Sequence, residues 1–217
     1  MDVDAAIDCG ADAIGLNFYS ASPRFVRSEL ARQLTGAIAK RAMAVGVFVN
    51  KSPAEVGTIV RDCHLDCVQL HGDEEPEWME QARNVPSLHG ISVIKAVAWR
   101  DLPEDRACVE RWRISAEDAI RENDSATPRL IGFLVDSFDP VQRGGTGKTA
   151  RWDLLDPRPK EFGTLPILLA GGITPANALE AQRTAKPDGL DVASGIESEP
   201  GIKDAIKMRL IASAVQR

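Results

Sequence analysis

Leu168-Leu169-Ala170-Gly171-Gly172-Ile173 and, about twenty residues further on, Asp191-Val192-Ala193-Ser194-Gly195-Ile196-Glu197 decide how this chain is read. Each is a short apolar run that breaks into glycine or serine, the pattern of a buried strand that stops in a small-residue turn and leads into a helix. Small residues remove the Cβ atoms that block a close approach. They also leave backbone N–H groups pointing outward at a helix start, an arrangement that holds phosphate. Two such turns in succession fit the last two strand-to-helix loops of a (β/α)8 barrel, where substrate phosphates are commonly bound.

Upstream the same unit repeats. Short β-branched runs alternate with amphipathic stretches, which is the pattern of βα units around a parallel sheet. Strands are expected over residues 13–18, 44–49, 66–70, 92–97, 131–136, 166–170 and 189–193, mostly as the continuous apolar runs of strands covered on both faces. Helices are expected from Ser28 to Lys40 and from Ser52-Pro53 to Asp62, because serine caps a helix and proline tolerates its first turn. Four more are expected over residues 76–83, 103–121, 175–184 and 201–216, with a polar surface loop over 122–128. Residues 2–9 read as the tail of a helix that Gly10 stops. The fold class expected is therefore α/β: one TIM-barrel domain over residues 1–217, N-terminally incomplete, with seven strands found where closure needs eight.

Composition narrows the function classes. At 217 residues and 44% hydrophobic content the chain is long enough to bury one sizeable core. Its 26 basic and 32 acidic residues give a net charge of -6 with no basic block, which argues against nucleic acid and anionic membrane surfaces as partners. No apolar stretch approaches the roughly 18 residues of a membrane span, and the start lacks the pattern of a signal peptide, so a cytoplasmic enzyme is expected. Cys9, Cys63, Cys67 and Cys108 are too few and too scattered for a disulfide framework and read as reduced thiols. Cys63, His64, Cys67 and His71 lie close in sequence, but the element pattern puts Cys63 at the opposite rim from His71, so no metal site is assigned. Gly147-Lys148-Thr149 has the ending of a phosphate-binding P-loop, yet the opening glycine of that motif would fall on Gln142, and the reading fails.

The order and spacing of nine motifs identify a family. Gly10-Ala11-Asp12-Ala13-Ile14-Gly15, Ser22-Pro23-Arg24-Phe25-Val26, Val45-Gly46-Val47-Phe48-Val49-Asn50, Val68-Gln69-Leu70-His71-Gly72-Asp73, Ile94-Lys95-Ala96, Leu134-Val135-Asp136, Gly144-Gly145-Thr146-Gly147-Lys148-Thr149, Ala170-Gly171-Gly172 and Asp191 to Glu197 occur in register. From about residue 4 onward the sequence resembles phosphoribosylanthranilate isomerase, a (β/α)8 barrel of tryptophan biosynthesis. The resemblance implies a cofactor-free Amadori rearrangement of N-(5'-phosphoribosyl)anthranilate to the 1-deoxyribulose 5-phosphate, which needs a general acid at the ring oxygen and a general base at C2'.

By that resemblance Asp136, which ends an apolar run, is the acid, although an aspartate there also serves as a loop cap. Arg24, after a Ser-Pro turn, would bind the anthranilate carboxylate, for which a guanidinium fork is suited. Gln69 and His71 are placed at the rim of the site, where structural hydrogen bonding accounts for them equally well. Gly171, Gly172, Ser194 and Gly195 would supply backbone donors to the phosphate, Asp191 is a further substrate-binding position, and Gly144 to Thr149 would be a loop over the site.

One element of the family pattern has no match. The family's base is a cysteine in a Lys-x-Cys-Gly motif at the end of the first strand, and this sequence contains no such motif. Cys9 precedes Gly10 at a helix end, on the stability face of a barrel, and reads as a small buried hydrophobe. A longer chain, extended upstream by about 20 residues at ordinary element lengths, is the expected active species. Two rivals remain: another phosphate-binding barrel isomerase or epimerase, and a non-catalytic remnant that binds the ligand or a partner. A homodimer and fusion to a neighbouring pathway enzyme both stay open.

Overall fold

A computed structural model describes residues 2–136 and 151–215. Its residues fall into two compact units, 1–95 with 111–131 and 96–110 with 132–217. Parallel strands carry both, and in sheet order they follow the order of the chain.

The first unit begins with α1 (Asp2–Asp8) and β1 (Ala13–Asn17), followed by α2 (Ser28–Ile38) and β2 (Met43–Phe48). It continues through α3 (Pro53–Cys63), β3 (Cys67–Leu70) and α4 (Glu77–Ala82) into β4 (Ser92–Ala98), whose first half belongs here. It also holds the later part of α5 (Pro103–Arg121) and the start of β5 (Arg129–Asp136). Registers are regular: Ala13 faces Met43, Val45 faces Cys67, and Cys67 faces Ser92. All four residues of β3 are buried, as a strand covered on both faces must be. Phe18 and Phe48 stack nearly parallel with ring centroids 5.2 Å apart.

Local signals in the sequence explain the ends of these elements. Ser52 and Glu55 form a reciprocal capping box at the start of α3, with Pro53 in the first turn. Asp66, just before β3, accepts the Ala44 N–H of β2 through Oδ2 (3.0 Å) and pairs with Lys40 through Oδ1, which locks two strand beginnings together.

The second unit holds the end of β4, the start of α5 and most of β5, then β6 (Ile167–Ala170), α6 (Ala178–Ala185) and β7 (Gly189–Leu190). A hairpin of β8 (Glu197–Glu199) and β9 (Ile202–Lys203) precedes α7 (Ala205–Val215). Short 3-10 turns occur at Trp152–Leu155, Lys160–Phe162 and Ser194–Ile196. Phe162 is the centre of this core, edge-on to Phe133 at 5.3 Å and tilted against Trp99 at 4.8 Å.

Four expectations need correction here. The strand over 189–193 is only two residues long, because the chain turns away at Asp191 towards a 3-10 turn. The helix expected from Gly201 starts at Ala205, since Ile202 and Lys203 pair back on β8. The helix expected from Pro175 starts at Ala178. Cys9, expected to be buried, is half-exposed; Cys9, Cys63, Cys67 and Cys108 are all free thiols, and burial pushes that of Cys67 up to about 12.

Asp105, in the first turn of α5, is 5% exposed and carries the clearest acid-sensitive contact. Burial alone would push its carboxyl up, but bonds from the Arg100 guanidinium (2.7 Å) and from the Arg100 and Leu102 backbone N–H groups outweigh it and hold it below 3.8. A depressed folded value means that the stabilisation is present above the unfolded value of 3.8 and lost as the pH falls through the folded one. Thermal unfolding of the wild type and Asp105→Asn is expected to show a gap of about 1–3 kcal/mol near neutrality that narrows progressively as the pH falls below about 4. A gap independent of pH would show that the charge is not the stabilising feature.

Candidate active site

In the first unit the segment after β1 is folded back by its own polar side chains. Asn17 Oδ1 accepts the Tyr19 N–H (2.8 Å), Asn17 O accepts the Val26 N–H (2.8 Å), and Asn17 Nδ2 reaches Ser22 Oγ (3.4 Å). Ser22 Oγ in turn accepts the Arg24 N–H (3.1 Å), so a hydroxyl and an amide side chain help to set the Ser-Pro-Arg turn. Arg24 sits half-buried in that turn.

Two further candidates lie at the end of β3. Gln69 is 8% exposed, His71 follows the strand at intermediate exposure, and Gln69 Nε2 lies 2.8 Å from His71 Nδ1. Beside them is a pair that the sequence reading did not single out: Lys95 on β4 and Glu74 after β3 form a buried ion pair of 2.9 Å. The only sequence signal was a lysine inside the apolar run of Ile94-Lys95-Ala96.

In the second unit Asp136 is the last residue of β5, and its register partner is Ala170, the last residue of β6. The carboxylate position is thus level with the start of the Gly171-Gly172 turn. Both glycines have left-handed backbone, with φ of 87° and 67°, which residues with a Cβ rarely adopt. Asn177 clips this turn shut: its Oδ1 accepts the Thr174 N–H (2.7 Å) and its Nδ2 donates to Gly172 O (3.0 Å).

The second turn is packed directly on the first. A Cβ built on Gly195 would overlap Ile173 O and lie 2.8 Å from the Ile173 carbonyl carbon and 3.1 Å from Thr174 Cα. Ser194 and Gly195 belong to the 3-10 turn, and Asp191 is exposed at its entrance with its N–H donating to Leu169 O (2.8 Å). Behind the turn, buried Glu197 accepts from Lys203 Nζ (2.9 Å), which also donates to Ala193 O (3.1 Å). Among the described residues the N–H groups of Gly171, Gly172, Ser194 and Gly195 have no hydrogen-bond partner, and they come from two turns in mutual contact. Unpartnered backbone amides in turns of this kind can bind an anion. The Gly144 to Thr149 segment lies outside the described residues.

A family model for N-(5'-phosphoribosyl)anthranilate (PRA) isomerase matches residues 1–214. The chain belongs to the PRA isomerase family. The function this membership carries is PRA isomerisation in tryptophan biosynthesis, an aldose–ketose isomerisation. A PRA isomerase of Geobacter sulfurreducens is 39% identical over 208 residues, which cover 96% of this chain and 89% of the relative. The crystal structure of the PRA isomerase of Thermotoga maritima is 30% identical with a TM-score of 0.75, covering 98% of this chain and 92% of that one. A second PRA isomerase structure, in complex with reduced 1-(o-carboxyphenylamino)-1-deoxyribulose 5-phosphate, is 28% identical with a TM-score of 0.71, covering 98% of this chain and 91% of that one. The seven parallel strands with their helices are accordingly of the TIM-barrel type. Among the described residues no helix is long and apolar enough to cross a membrane.

Proposed function

We propose that this chain carries out the family reaction with Asp136 as general acid, Arg24 on the anthranilate carboxylate and Gln69 and His71 at the rim. Gly171, Gly172, Ser194 and Gly195, with Asp191 beside them, hold the phosphate. Asp136 delivers a proton to the furanose ring oxygen as the C1'–O bond breaks and the anilino nitrogen forms a Schiff base at C1'. Transfer of the C2' proton to a general base then gives an enol, and protonation at C1' with loss of the enol O–H proton yields the ketone, so the product is an isomer and no oxidant is required. The observation that carries this reading is the pair of contacting turns in the second unit, level with the end of the strand that bears Asp136. The 217 residues contain no counterpart of the Lys-x-Cys-Gly motif from which the family takes its base. We place the reaction in the cytoplasm, which suits four free thiols.

Arg24→Gln tests the division of labour between the two ends of the substrate. Losing a charge-assisted bond is worth about 1.5–3 kcal/mol, so affinity for the reduced product analogue is expected to fall about 10- to 100-fold. Inorganic phosphate, which lacks the aromatic end, is expected to bind both proteins alike. Calorimetric titration of both ligands measures this, and equal affinity of the two proteins for the analogue overturns the assignment of Arg24.

A further inference from the structure

The proposed reaction leaves unused the buried ion pair of the first unit. Lys95 and Glu74 side chains are each 3% exposed, with Nζ 2.9 Å from Oε2. Taking two charges out of water is costly, and their attraction offsets that cost only when the other donors and acceptors of the pair are also bonded. Here they are. Lys95 Nζ donates to Gly72 O (2.6 Å), lies 3.5 Å from Leu70 O, and stands 5.7 Å from the centre of the Trp112 ring. Glu74 Oε1 accepts the Asn50 N–H (2.8 Å) and Oε2 the Gly72 N–H (2.9 Å). Asn50 Oδ1 accepts the Asp73 N–H (2.7 Å) in return.

A single carboxylate thus ties the segment after β2 to the segment after β3, and a lysine on β4 ties both to a third strand. His71 lies inside this knot. Its N–H donates to Phe48 O (2.8 Å) at the end of β2, and its Nδ1 faces Gln69 Nε2. An amide nitrogen only donates, so the contact leaves the proton of a neutral His71 ring on Nε2.

We propose that Lys95 and Glu74 are positioning residues: they hold the backbone from Leu70 to Glu74 so that Gln69 fixes the His71 ring in one orientation and one tautomer, with Nε2–H as the donor to ligand. The link to ligand rests on the proposed place of His71 in the substrate site. Stability is a weak reason for such a pair, since apolar residues of similar volume often do as well or better.

Imidazole nitrogen spectra of the ligand-free protein in mildly alkaline buffer test the positioning directly. Wild-type His71 is expected as the Nε2–H tautomer. Glu74→Gln, and the doubly neutral Lys95→Met/Glu74→Gln, which leaves no unpaired buried charge, are expected to show a mixture of tautomers. Both are also expected to bind reduced 1-(o-carboxyphenylamino)-1-deoxyribulose 5-phosphate about tenfold more weakly, the loss of one hydrogen bond, while inorganic phosphate binds as before. A folded double variant with the wild-type His71 spectrum overturns the proposal. A mixed spectrum with undiminished analogue affinity overturns the link from His71 to ligand. If wild-type protein fails to bind the analogue, the substrate assignment falls, while the ligand-free spectra still decide the positioning role.

Discussion

Asp136→Asn is expected to lower turnover of N-(5'-phosphoribosyl)anthranilate by about 10²- to 10⁴-fold, the usual contribution of a positioned proton donor. Asparagine keeps the size and planarity of the side chain at the end of β5, so the register with Ala170 is retained. What it lacks is a transferable proton. Affinity for the reduced product analogue is accordingly expected to stay within a few-fold of the parent, because in that open-chain ligand the former ring oxygen is already a hydroxyl and needs no proton from the side chain. Steady-state rates and calorimetric affinities separate the two effects. The comparison is made between parent and variant of the same length. Undiminished turnover by the variant would sink the assignment. Turnover by the 217-residue parent itself would place the base within these residues.

Gly195→Ala is expected to damage phosphate binding out of proportion to its size. One methyl group would overlap Ile173 O and crowd the Ile173 carbonyl carbon at 2.8 Å, and neither backbone atom can rotate away as a side chain would. Either the 3-10 turn or the Gly171-Gly172 turn must move, at a cost of about 1–3 kcal/mol typical of overpacking. Because both turns are proposed to offer amides to the phosphate, affinity for the phosphorylated analogue is expected to fall about tenfold or more, equivalent to about 1.4 kcal/mol. Ser194→Ala, which keeps the backbone N–H, is the control and is expected to change affinity little. Thermal unfolding alongside titration checks the comparison, and a Gly195→Ala protein that binds as well as the parent would show that the contact between the turns is not what shapes the cradle.

The strands were legible because a parallel strand covered on both faces reads as a mostly apolar run. Cys67-Val68-Gln69-Leu70 and Ile167-Leu168-Leu169-Ala170 announce themselves, and the helix start at Ser52-Pro53 follows from capping chemistry, whereas the helix expected at Ser28 begins there without a serine cap, its N-cap being Arg27 with no side-chain cap bond. Errors fell where the chain chooses between local options of similar merit. Asp191-Val192-Ala193 has the composition of a strand end, but its neighbours draw it into a turn, and Ile202-Lys203 follows a turn into a hairpin instead of starting the helix. At the proposed site, the backbone placement of the glycine turns and of the strand-end Asp136 was readable from residue type and position. Side-chain ties across long separations were not. Asn177 looks like any residue of a helix start until its two bonds to the Gly171-Gly172 turn are seen. Lys95 and Glu74 are 21 residues apart, and no local pattern links them.

That tie bears on how such chains can be recombined. Asn50, Gly72, Glu74 and Lys95 come from three separate stretches of sequence yet share one set of bonds. A chimera that exchanges only the segment after β3 carries Gly72 and Glu74 into a host while leaving Asn50 and Lys95 to chance. Crossover points that keep this set of bonds together therefore lie before Asn50 and after Lys95.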